Sequence, residues 1–223
     1  AVLVVNFDRK GLTLSELETL LHEFGHALHT NLSSTRYSIN AGTSVKHDFV
    51  EAPSQMLEDW VLDPRVLAQF KQVCPECKPV PDDLVTQARK ARDFAKGVQT
   101  ARQHLYASFD LTMYSGQKDD PLTLWQRMEG ATPLGYVPGT IFPAAFSHVA
   151  QNYGAGYYGY LWSLVVAMDL RTAFEADRLD PAAGARYRSV VLSQGSQQAP
   201  DVLVRNFLGR EFNSKAFYDD LAR

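Results

Sequence analysis

The sequence predicts a mainly α fold with a small β element near the N-terminus. Three observations carry this. Apolar residues recur at Leu14, Leu17, Leu21, Phe24 and Leu28, the period of one helix face. The stretches 82–114 and 157–179 hold helical patterns with few breakers. Only AVLVVNF, at 1–7, has the apolar run of a strand. With 223 residues, 45% hydrophobic and 21% charged, the chain is long enough for a sizeable core.

The elements follow in order. AVLVVNF is expected to be a strand, and residues 8–11 a turn. The chain opens without Met, inside that apolar run, so it is expected to be a piece of something longer. A helix from about Thr13 to Thr30 begins with a capping box, Thr13 with Glu16. Residues 31–46 are polar and turn-prone, hence a loop. A second helix is expected between Phe49 and Leu62, starting close to Glu51 or kinked at Pro53, because proline fits the first turn. Residues 73–81 hold three prolines and both cysteines, another loop. Residues 116–121 form a charged turn, and the Gly- and Pro-rich 130–143 an irregular segment. Helix is expected again from Tyr157 to Leu179, then three shorter helices ending near Leu221.

Several function classes drop out. A formal charge of −3 gives no case for a nucleic-acid partner. The longest apolar stretch, around LWSLVVAMDL, is interrupted by Asp169 and Arg171 and is too short to span a bilayer, so no membrane partner is expected. Cys74 and Cys77 form one CxxC without the second pair of a structural zinc site. They are expected to be reduced thiols in a loop, and so low a cysteine count points to a cytoplasmic protein.

The informative stretch is HEFGHALH at 22–29. His22 and His26 stand four apart, so both rings lie on one helix face and can reach one ion. Zinc suits imidazole, and a catalytic site wants three protein ligands plus an open position. Glu23 lies about 100° round the helix from His22, near enough to act on water without ligating. The third ligand has to come from elsewhere. Glu51, on the next expected helix, is the favoured candidate, with Glu58 and Asp59 as alternatives. Glu18, one turn before His22, is placed to accept the free N–H of a ligating imidazole. His29 reads as packing or support, not as a ligand.

HEFGHALH, followed by DFVEAPSQMLEDW at 48–60, resembles the thimet oligopeptidase and oligopeptidase A family of zinc peptidases, also called the M3 peptidases. The family includes neurolysin and the bacterial dipeptidyl carboxypeptidases. The resemblance implies a zincin-like metallopeptidase catalytic domain of the neurolysin type. It makes Glu51 the third zinc ligand, and Glu58 and Glu18 acids that support the ligating histidines. A second match is FSHVAQNYGAGYYGYLWS at 146–163. There the resemblance implies that His148 and Tyr160 stabilise an oxyanion, and that Tyr153 and Tyr157 contact substrate. Glycines at 154, 156 and 159 are expected to make this loop mobile. RYRSVVL and NFLGREF match the family's C-terminal end, with Gln194 and Phe212 departing from its usual glycine and proline.

The whole chain, 1–223, matches only the C-terminal part of the family's catalytic domain. The expected partners are therefore short peptides and the missing N-terminal part of the same protein. The resemblance implies zinc-dependent hydrolysis of peptide bonds, with Glu23 as the base. A zinc-binding but inert fragment is the rival expectation.

Overall fold

A computed structural model describes residues 1–151 and 153–223; Asn152, inside the glycine-rich stretch before Tyr160, lies outside the described residues. The chain is mainly helical, and its residues group into two compact units, 1–94 with 163–223, and 95–162.

In the first unit, α1 (Leu14–Asn31) starts as its sequence requires. Thr13 accepts the amide of Glu16, and the Glu16 carboxylate accepts the amide of Thr13. The α1 stripe is only partly core. Leu21 and Leu28 pack against buried residues, while Leu14 is 43% and Phe24 48% exposed. The two buried residues of α1 are Gly25 and His29. Next comes α2 (Ala52–Glu58), capped by the backbone of Glu51, with Pro53 in its first turn. It runs into a 3₁₀ turn at Asp59–Leu62. The helices α3 (Pro64–Val73) and α4 (Asp82–Asp93) follow.

Three helices close this unit, α9 (Pro181–Val190), α10 (Pro200–Leu208) and α11 (Lys215–Leu221), after most of α8 (Tyr158–Arg171). Its core joins Phe49, Met56 and Trp60 to Ala167, Leu170, Phe174, Leu203 and Phe207. Asp169, buried on α8, accepts from the two terminal guanidinium nitrogens of Arg210, at 2.6 and 3.0 Å.

The second unit contains α5 (Lys96–Met113), α6 (Pro121–Gly130), α7 (Phe142–Ala145) and the first turn of α8. Asp120 caps α6 through the amides of Leu122 and Thr123. The core is aromatic: Phe109 stands edge-on to Trp125 and Phe142 stacks on Trp125, with Phe146 alongside.

Four expectations are corrected. No strand occurs among the described residues: 1–8 take no regular structure, and Val2 is 89% and Val4 86% exposed. A strand needs a neighbour to complete its ladder, and no described segment supplies one. The long helix expected over 82–114 is broken, because Ala95 takes a left-handed conformation with φ +56°, unusual for a residue with a Cβ. The helix expected over 157–179 ends at Arg171 and tightens into a 3₁₀ turn at Thr172–Phe174. Finally, Cys74 and Cys77 are joined in a disulfide, with Cα atoms 5.3 Å apart; two cysteines three apart at a helix end lie within bonding reach. Among the described residues, no helix is long and apolar enough to cross a membrane.

Candidate metal centre

The site is built where α1 crosses α2. Gly25 makes the crossing close: a Cβ there would lie 2.5 Å from Ser54 Cα and 2.6 Å from the Pro53 carbonyl oxygen. The helix backbones therefore approach at the one position of α1 without a side chain. That approach sets His22 and His26, on either side of Gly25, against Glu51 at the start of α2.

His22 Nε2 lies 3.2 Å and His26 Nε2 3.0 Å from the same oxygen, Glu51 Oε2. The three donor atoms fall within 4.8 Å of one another. Two donors bound tetrahedrally to one zinc, at bonds near 2.0–2.1 Å, sit roughly 3.3 Å apart. The spacing and the two-imidazole, one-carboxylate donor set thus fit zinc. Glu51 is buried and its position is fixed: Ser54 Oγ donates to its side-chain oxygen at 3.1 Å and to its carbonyl at 2.8 Å.

Glu58 stands behind His22, with Oε1 2.6 Å from the ring Nδ1. Burial works against a charge on His22, but the hydrogen bonds its ring donates to the Glu51 and Glu58 carboxylates outweigh it and push its pKa up to about 10. Glu18 takes no hydrogen bond from His22. It pairs with Arg92 at 3.0 Å, and burial raises its pKa. Arg92 also reaches Asp59, as do Arg171 at 3.2 Å and Arg178 at 2.5 Å. Three guanidinium groups thus hold the residue next to Glu58.

Glu23 is half-buried on α1, beside the first histidine, and its carboxylate has no hydrogen-bond or ionic partner among the described residues. A carboxylate left unengaged beside two imidazoles is available to a water. His29 is fully buried and both ring nitrogens lack a partner among the described residues. Burial, then the neighbouring His26, pushes its pKa down to about 4.

In the second unit, His148 meets the rings of Tyr153, Tyr157 and Tyr160 at 5.7, 5.3 and 5.8 Å between centroids. Tyr153 stacks on Tyr160 at 5.0 Å. The Tyr157 hydroxyl donates to Gln103 Oε1 at 2.9 Å, and burial, with Tyr160 and Tyr106 nearby, pushes its pKa up to about 12.

Gly25 and Ser54 are not evident as site residues in the sequence. An unexplained glycine inside a helix, which costs about 1 kcal/mol against alanine, was the available signal for the first.

Comparison with known proteins agrees with the motifs. The model of peptidase family M3 matches residues 1–223. The chain belongs to this family. Among its M3 relatives, the mitochondrial intermediate peptidase of Rattus norvegicus is 34% identical over 215 residues, 94% of this chain and 30% of that protein. Saccharolysin of Saccharomyces cerevisiae is 32% identical over 233 residues, 98% of this chain and 33% of that protein. Oligopeptidase A of Haemophilus influenzae is 32% identical over 207 residues, 89% of this chain and 30% of that protein. The chain thus spans about a third of the length of the M3 relatives it matches.

Proposed function

We propose that this chain is the zinc-binding catalytic part of an M3 oligopeptidase that cleaves short peptides. The observation that carries the reading is the convergence of His22 Nε2 and His26 Nε2 on one oxygen of buried Glu51. His22, His26 and Glu51 hold the metal, and Glu58 orients the His22 ring through Nδ1. Zinc, when bound, supplies Lewis-acid activation of water and of the scissile carbonyl. Glu23 takes the proton from the attacking water and passes it to the leaving amine. His148 and Tyr160 donate hydrogen bonds to the developing oxyanion, and Tyr153 and Tyr157 contact the peptide; these four roles rest on the resemblance of 146–163 to the family. The remainder of a full-length M3 protein is the structural partner this reading implies.

The test compares zinc content and cleavage of a quenched short peptide for the chain and for Glu23→Ala. Zinc should bind both proteins stoichiometrically, and turnover should fall by about two to four orders of magnitude in Glu23→Ala. A second reading is a zinc-binding but inert fragment. Zinc bound without Glu23-dependent turnover would establish that reading. No zinc in the chain would sink both.

A further inference from the structure

The loop that precedes α8 is glycine-rich, yet its backbone is tied down from α5. Asp110, on α5, is completely buried. One carboxylate oxygen accepts the amide of Ala155 and the other the amide of Tyr157, each at 2.9 Å. A buried carboxylate is costly unless each oxygen is satisfied, and charge-assisted bonds of this kind are about twice as strong as neutral ones. The two amides converge because Ala155 adopts a left-handed conformation with φ +58°, a state alanine rarely enters unless its surroundings impose it.

One turn further along, Tyr114 makes a second tie. Its hydroxyl donates to the Val149 carbonyl, and its ring lies against Gly154, where a Cβ would come within 2.6 Å of that hydroxyl. One turn earlier, Tyr106 stands edge-on to Tyr157 at 6.0 Å, and Gln103 accepts the Tyr157 hydroxyl. Gln103, Tyr106, Asp110 and Tyr114 are spaced 3, 4 and 4 apart, which is one face of a helix.

We propose that Asp110 is a positioning residue: through its bonds to the amides of Ala155 and Tyr157 it holds the backbone from which Tyr153, Tyr157 and Tyr160 meet the peptide. The substrate half of this rests on the role proposed above for those tyrosines; the tether does not. In Asp110→Asn an amide NH₂ replaces one acceptor and faces a backbone N–H, so one bond is lost.

The test uses the full zinc-loaded chain with two readouts: residue-resolved amide hydrogen exchange, and the Kd of a fluorescent short peptide. In Asp110→Asn the amide that loses its acceptor, of Ala155 or of Tyr157, should exchange about tenfold faster or more, the worth of one charge-assisted bond. Peptide affinity should fall while zinc stoichiometry holds. Tyr157→Phe should weaken peptide binding and leave the Ala155 amide unchanged. Unaltered exchange in Asp110→Asn overturns the proposal. Faster exchange with unaltered affinity in both variants leaves the tether standing and removes the substrate role of the tyrosines. Should Asp110→Asn fail to fold, Tyr114→Phe loses only the bond to Val149. Faster exchange confined to 149–157 then supports the clamp, and no change there contradicts it.

Discussion

At the scale of single residues, each side chain of the centre has a different neighbour, and so a different expected cost of removal. Glu51 offers its oxygen to both imidazoles, whereas Glu58 touches only the far nitrogen of His22. Removing an outer partner of a ligating histidine weakens metal binding about 10–100-fold. Glu51→Ala should therefore cost zinc affinity well beyond Glu58→Ala, as read by competition with a chelator. Equal losses would contradict the assignment of Glu51.

His29 makes a separate prediction. Its pKa is 6.5 when free and about 4 when buried. The unfolded chain therefore binds a proton between those values that the folded chain does not. The stability His29 permits is complete above pH 6.5 and falls as the pH drops towards 4. Below that the folded state also takes up the proton. The full displacement corresponds to about 3 kcal/mol. In metal-stripped protein, urea midpoints between pH 4.5 and 7 should fall with acid more steeply for the wild type than for His29→Leu. Parallel profiles would show that His29 is not held neutral.

At the scale of elements, the crossing of α1 and α2 is what makes the site. Gly25→Ala would improve helix propensity by about 1 kcal/mol, but the added Cβ meets backbone at 2.5 Å. Forcing an extra methyl into tight packing costs about 1–3 kcal/mol, so the net effect should be destabilising. Because Glu51 begins the displaced helix, zinc affinity should fall with it. A stabilised Gly25→Ala variant of unchanged zinc affinity would show that the helices can separate freely.

The elements also show what could be read in advance. The start of α1 was legible, because Thr13 and Glu16 satisfy each other locally. The start of α2 was legible because Pro53 has only the first turn open to it. AVLVVNF was not, since its apolar run describes what a segment could pair with and not whether a partner is present. The break at Ala95 carries no glycine or proline to announce it. Asp110 could not be found from sequence either, because 45 residues separate it from the Ala155 amide it holds.

At the scale of the whole molecule, two compact units carry the two matched stretches, the candidate metal ligands in one and the histidine–tyrosine cluster in the other. That His22 and His26 share one face was legible, because they stand four apart in a helix. Spacing alone did not separate Glu51 from Glu58, which stand seven residues, about two helical turns, apart. The three arginines around Asp59 were invisible in sequence, coming from α4, α8 and the segment after it.

The central claim is that one zinc ion sits between His22, His26 and Glu51. X-ray absorption at the zinc edge of the loaded chain tests it most directly. The account predicts a first shell of two imidazole nitrogens and carboxylate oxygen, with bonds of about 2.0–2.2 Å, losing one imidazole in His26→Ala and the protein carboxylate in Glu51→Ala. A sulfur-containing shell, or one unchanged by both substitutions, would contradict it.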